Sequence, residues 1–354
     1  MQVQFRPEMR LTRPPVQHTL VSAAGAANAK ERIDFFLVNR KPVLAVIGGD
    51  VRQLIAAARL CADFDVRLYG FDGPPQHAVP TDPACCAAAW EAPPDLAARA
   101  GAAGQLCQTL PEALDGAAAV LLPLPAGSDG VHVSMPLSGK VLTFSALADA
   151  MRTAGVKLLC GGKISPVVTA MLENAGITAA DYYEREEFAV ANAIPTAEGA
   201  AAIAMQELPV TLHGARALVI GYGRIGRVLA SMLAGLGTHV TVSARKPSDF
   251  AWIAAASLRG VRTPALAEVL ATEQFDVIFN TVPHTVLGAA ELHVIPRETL
   301  LIDLASAPGG IDRDAAAFHP VIWALSLPGK VAPVTAGGII ADTVRTMLTE
   351  VGLC

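Results

Sequence analysis

Along the chain, short apolar runs alternate with segments of helical period, and the alternation starts abruptly at Pro42. VLAVIGGD (43–50) is an apolar run ending in a Gly-Gly turn, the pattern of a strand buried on both faces. VRQLIAAARLCA (51–62) repeats its apolar positions with a helical period, and DVRLYGF (65–71) reads as the next strand. This β-α-β order predicts a parallel sheet. Residues 72–95, rich in Pro, Ala and Gly, predict loop with short helices. AAAVLLPLP (117–125) predicts another strand, and KVLTFSALADAMRTAG (140–155) a strand edge followed by a helix. VKLLCGG (156–162) predicts a strand, followed by a helix from Ser165 or Pro166 to Ala175.

In FAVANAIPTAEGAAAIAMQEL (188–208) a helix is expected to start near Pro195–Thr196, because Pro suits a first turn and a hydroxyl suits a cap. From Ala215 the alternation resumes, with strands expected at 217–220, 239–243, 276–282, 299–304 and 320–325. TAGGIIADTVRTMLTEV (335–351) predicts a final helix opened by two glycines.

Composition narrows the classes. A chain of 354 residues is comfortable for two domains, and 52% hydrophobic against 17% charged residues is ample for a large core. No apolar stretch runs unbroken for the roughly 18 residues of a membrane span, so no membrane association is expected. Scattered Arg near the N-terminus, without an apolar block, argues against a secretory signal. A net charge of −5 with dispersed Lys and Arg argues against a nucleic-acid surface. The 6 cysteines include no C-x-x-C pair, which predicts reduced thiols and a cytoplasmic protein. The 8 histidines show no paired metal-ligand spacing, so no metal is expected.

The most specific motif is LVIGYGRIGRVLASMLAGLGTHVTVSARK, from residue 218. Gly221, Gly223 and Gly226 make G-x-G-x-x-G between a strand and an amphipathic helix. The first glycine permits the tight turn, the second lets backbone approach a pyrophosphate, and the third lets helix pack on strand. Arg224 and Ile225 lie inside this loop and join the candidate cofactor contacts. At the end of the next strand an NAD site commonly carries an acid for the ribose 2′-hydroxyl. Here stand Ser243, Ala244, Arg245 and Lys246, which suit a 2′-phosphate and predict NADP ahead of NAD.

Other motifs fall at the carboxyl ends of expected strands, where α/β sheets bind ligands. NTVP (280–283) offers Asn280, Thr281 and Pro283 to the cofactor, with His284 following as a candidate general base. DLASAPGG (303–310) offers Asp303, and IPTAEG (194–199) offers Thr196 and Glu198. Each has a plain alternative: Thr196 as a helix cap, Glu198 as a first-turn acid and Pro308-Gly309-Gly310 as a simple turn. GGDVR (48–52) and GGKISP (161–166) bring Arg52, Lys163 and Ser165 toward one edge, a set suited to a carboxylate-bearing substrate.

Taken in order, AVIGGDVRQL (45–54), LPLP (122–125), NAIPTAEG (192–199), GYGRIG (221–226), SARK (243–246), NTVP, DLASAPGG and LPGKVAPVTAG (327–337) resemble the dipicolinate synthase A subunits from about residue 43 to 350. The resemblance implies an oxidoreductase acting on a substrate like 4-hydroxy-tetrahydrodipicolinate, which loses water and a hydride to give pyridine-2,6-dicarboxylate. It implies work with a flavoprotein-like B subunit, in the lysine and diaminopimelate branch and in sporulation; an oligomer is expected as well. Glu198, Asp303 and His284 are the candidate catalytic residues read from the motifs, and a His at 284 is not part of the family pattern. Where the family usually has Lys this chain has Val334, and Lys330 is the candidate replacement for substrate binding.

The expected organisation is two α/β domains. Residues 1–40 form a loose extension, with a short helix around Glu31–Val38. Residues 41–190 form an open parallel-sheet, flavodoxin-like substrate domain, 191–212 an interdomain helix, and 213–330 a Rossmann dinucleotide-binding domain. Residues 331–354 form a C-terminal helix that the resemblance returns to the first domain. Two alternatives stay open: a D-2-hydroxyacid dehydrogenase-like reductase, and a non-catalytic NADP(H)-binding scaffold or sensor.

Overall fold

The computed structural model describes residues 41–73 and 102–353. The expected N-terminal extension with its helix around Glu31–Val38, and most of the 72–95 loop, lie outside the described residues. The described residues from Pro42 onward belong to one compact unit.

The described chain folds as two six-stranded parallel sheets. The first contains β1 (Val43–Ile47), β2 (Asp65–Tyr69), β3 (Gln105–Leu106), β4 (Ala117–Leu121), β5 (Leu158–Gly161) and β6 (Thr178–Asp181). Its order is β3-β2-β1-β4-β5-β6. Without the two-residue edge strand β3, this is the flavodoxin-like order. The second contains β7 (Arg216–Ile220), β8 (His239–Ala244), β9 (Arg259–Arg262), β10 (Val277–Asn280), β11 (Leu300–Asp303) and β12 (Val321–Trp323). Its order, β12-β11-β10-β7-β8-β9, is that of a dinucleotide-binding sheet.

Four of the helices start where a short polar side chain takes up free backbone N–H groups. Asp50 caps α1 (Val51–Leu60) by accepting from Arg52 N. Thr109 caps α2 (Leu110–Leu114), Thr143 caps α3 (Phe144–Ala154) and Ser165 caps α4 (Pro166–Asn174). Each sheet carries one apolar cluster on each face, as strands buried on both sides require.

The helix expected to begin at Pro195 instead begins nine residues earlier: α5 spans Glu186–Glu207 with Pro195 inside it. Proline lacks one helix hydrogen bond and crowds the preceding turn. Burial outweighs that local cost, because Phe188 packs in the core of the first sheet while Ala197, Ala200 and Ala204 pack in that of the second. Its 22 residues are long and apolar enough to cross a membrane, yet 56% of the relevant window is buried inside the protein. α5 is thus the core helix shared by both halves.

The second sheet is flanked by α6 (Arg224–Gly235), α7 (Pro247–Ala255), α8 (Leu266–Thr272) and α9 (Ala289–Val294). After β12 come α10 (Leu327–Val331) and α11 (Pro333–Glu350). α10 packs on α5, and α11 packs on α1 beneath the first sheet. The two glycines do not open α11; they lie within it, where contact with α1 is tightest. A Cβ at Gly337 would stand 2.5 Å from the carbonyl oxygen of Arg52.

Candidate functional site

β7 ends at Ile220, and the chain turns through Gly221–Gly223 into α6. Gly221 has φ +97°, a left-handed value that a side chain disfavours. A Cβ at Gly226 would stand 2.1 Å from the Gly221 carbonyl oxygen, so α6 approaches the turn only because that position is bare. At Gly223, by contrast, a Cβ would meet nothing within 4 Å. α6 also has no side-chain cap. Open space in front of uncapped N–H groups at the positive end of a helix fits a pyrophosphate.

Arg224, the first residue of α6, lies beside this space. Its Nε donates to Glu186 Oε2 at 2.9 Å, and its Nη2 donates to the same oxygen. That bonding holds the Glu186 carboxyl below its ordinary pKa. No motif in the sequence marks Glu186, although it ties the start of α5 to the glycine loop. Ile225 is half-buried and packs on the core of the second sheet.

At the end of β8 the four expected residues separate. Ser243 is fully buried, and its hydroxyl lies 3.1 Å from Thr263 Oγ1, so its side chain faces the sheet rather than a ligand. Arg245 and Lys246 are exposed and have no carboxylate partner among the described residues. Arg262, at the end of β9, is in register with Ala244 and joins them at this edge.

The ends of β10 and β11 turn three of the candidate residues toward the loops. Asp303 is 1% exposed and therefore does not stand in the cleft as an acid or base. Its Oδ1 accepts from Asn280 Nδ2 (2.8 Å) and Ala305 N (3.0 Å), and its Oδ2 accepts from Gly310 N (2.8 Å) and Ile311 N (3.3 Å). Asn280 is equally buried and bonded to Val282 on both its amide atoms. Thr281 donates to the Ile220 carbonyl at 2.9 Å. These three side chains shape the loops from within, whereas Pro283 and His284 are exposed.

In the first sheet, Arg52 is committed more fully than a substrate-binding cation needs. Its Nη2 donates to Asp50 Oδ2 (2.8 Å) and Leu124 O (2.6 Å), and its Nε donates to both Asp50 oxygens. Burial works against its charge, but its partners, Asp50 foremost, leave its pKa raised. Lys163 is exposed, at φ 55°, and its backbone N–H donates to Asp181 Oδ1. Ser165 caps α4, so its hydroxyl serves Val168 N at 3.4 Å.

Thr196 lies within α5 and donates to the Asn192 carbonyl at 2.7 Å, so it is neither a helix cap nor an open hydroxyl. Glu198 is exposed on α5. It adjoins Gly199, where a Cβ would stand 3.2 Å from Leu327, so Glu198 lies at the junction of α5 with the helix carrying Lys330. Gln53 is buried beside the Gly48–Gly49 turn with its Oε1 unpaired among the described residues.

The pattern at 192–315 matches a family model described as "D-isomer specific 2-hydroxyacid dehydrogenase, NAD binding domain". The A subunit of dipicolinate synthase from Bacillus subtilis (strain 168) is 36% identical over 193 residues, spanning 53% of this chain and 64% of that protein. The solved dipicolinate synthase A chain from Bacillus subtilis superposes with a TM-score of 0.73 at 28% identity, over 88% of this chain and 97% of that one. The corresponding protein from Bacillus halodurans, also a dipicolinate synthase A subunit, gives 0.72 at 28% identity, covering 87% and 98% respectively. A transhydrogenase from Sinorhizobium meliloti, at 15% identity and a TM-score of 0.61 over 88% and 95%, shares the fold.

Proposed function

We propose that this chain, a relative of the dipicolinate synthase A subunits by sequence and by fold, is an NADP-dependent oxidoreductase that makes pyridine-2,6-dicarboxylate from a 4-hydroxy-tetrahydrodipicolinate-type substrate. The observation that carries the reading is the open cradle at Gly223, beside a strand end that bears Arg245 and Lys246 and no acid. Loss of the ring hydroxyl as water gives a dihydropyridine. That ring then releases one hydride and one proton and becomes aromatic. When bound, the nicotinamide supplies the hydride acceptor.

The chain's own residues would hold and orient. The first turn of α6 and the outer edge of the Arg224 guanidinium would bind the pyrophosphate. Lys163 and Lys330 are the candidate partners of the two substrate carboxylates, the latter in the place left by Val334. Glu198 is the candidate proton acceptor, since it is exposed at the α5–α10 junction, and His284 is the second candidate. An oligomeric state and a B subunit belong to the same proposal through the kinship.

The family match over 192–315 favours one second reading, a D-2-hydroxyacid dehydrogenase-like reductase. Against it, the histidine nearest the end of the dinucleotide domain, His319, is bonded through Nε2 to the Leu292 carbonyl at 2.9 Å. The test offers the chain the cyclic hydroxylated dicarboxylate with NADP⁺, and separately a panel of 2-oxo acids with NADPH. Pyridine-2,6-dicarboxylate from the first, with or without a B subunit, supports the proposal. Turnover confined to the 2-oxo acids would replace it with the second reading.

A further inference from the structure

β9 ends at Arg262, whose Cα is paired with Ala244, the last residue of β8. In a sheet of this order the ribose lies over the end of β8. Neighbouring strands are about 4.8 Å apart, so Arg262 starts one strand spacing from the Arg245–Lys246 loop. Its guanidinium carbon lies 5.6 Å from the centre of the Phe250 ring, at the start of α7, the helix that follows Lys246. The strand and the helix on either side of the loop thus meet at this arginine.

Charge around it is unevenly matched. Arg259 and Arg216 both pair with Glu273, and Arg227 pairs with Asp249 at 3.2 Å. Asp249, the acid of α7's first turn, is therefore already engaged. Arg245, Lys246 and Arg262 have no carboxylate partner among the described residues. Three uncompensated cations at two adjacent strand ends repel one another, and a bound dianion relieves that repulsion.

We propose that Arg262 is a specificity-determining residue that completes the 2′-phosphate site, an inference that rests on the NADP reading. Arg245 and Lys246 supply charge from the loop. Arg262 supplies a planar donor fork from the neighbouring strand, and the Phe250 face holds that plane. Stacked this way, the guanidinium loses little freedom when it meets phosphate oxygens.

The test measures dissociation constants for NADPH and NADH by nucleotide fluorescence in the native chain, R262Q, R262K and R259Q. The native chain is expected to prefer NADPH. R262Q is expected to weaken NADPH on the order of tenfold, the scale of one hydrogen bond to a charged group. It should leave NADH within about twofold, since NADH lacks the 2′-phosphate that Arg262 would meet. R262K should recover part of the preference, and R259Q, which alters a paired arginine on the same strand, should retain all of it. Equal weakening of both nucleotides by R262Q, or no weakening, would overturn the role of Arg262. Equal binding of NADPH and NADH by the native chain would instead remove the NADP reading beneath it.

Discussion

At the scale of single residues, a polar side chain at a strand's carboxyl end has two competing partners, the loop backbone and the ligand. Asp303 goes to the loop, where its two oxygens accept four hydrogen bonds. Asp303→Asn sets an amide donor against two existing donors in either orientation. We expect it to cost about 1–3 kcal/mol in urea denaturation. A variant of native stability that has lost only turnover would return Asp303 to the catalytic residues. Cys160 gives a second residue-level test, since burial pushes its thiol up to about 12. Below pH 9 the thiol is neutral in both folded and unfolded chains. Above that only the unfolded chain ionises, so this group should lower stability progressively from pH 9 toward 12. Replacing it with Ala should flatten that part of the stability-against-pH curve. The motifs place chemistry at the right strand ends, but they do not reveal which way a side chain turns. Ser243, Asn280 and Asp303 turn inward, Arg245 and Lys246 turn outward, and Arg262 sits in an RGVRT segment with no motif to mark it.

At the scale of elements, the strands legible in the sequence are long apolar runs such as β1 and β7. β6 (TAAD) and β9 (RGVR) lie at sheet edges, where one side is solvated and the apolar signal is diluted. Sequence pattern misplaces the start of α5 because the local signal of Pro195 points to a first turn, while the burial of Phe188 that extends the helix is a tertiary fact. The glycines of α11 look in sequence like a helix opening and are instead a contact surface. Gly337→Ala should drive a methyl against the Arg52 carbonyl and cost about 1–3 kcal/mol, seen as a lower urea midpoint. A neutral substitution would mean that α11 does not rest on α1 in solution. Because α1 carries the Gly48–Arg52 turn at its start, the same variant should also perturb the edge of the first sheet.

At the scale of the whole molecule, α5 enters one core, leaves through the other, and meets the glycine loop through Glu186 and Arg224. A nucleotide seated on α6 would lie beside an arginine tied to the helix that both sheets share. Binding to the folded chain alone stabilises it by mass action, about 2.7 kcal/mol at a ligand concentration one hundred times Kd. NADPH should raise the melting temperature more than NADH at equal concentration, with the difference shrinking in Arg245→Ala. Equal shifts would mean that the charges at the end of β8 do not read the ribose. The central claim, oxidation of a cyclic dicarboxylate coupled to reduction of the nucleotide, is tested most directly by stoichiometry. The native chain, supplied with a B subunit if turnover requires one, is given the hydroxylated tetrahydrodipicolinate and NADP⁺ while both products are counted. The account predicts one NADPH for each pyridine-2,6-dicarboxylate formed; pyridine-2,6-dicarboxylate appearing without NADPH, or no pyridine product at all, would contradict it.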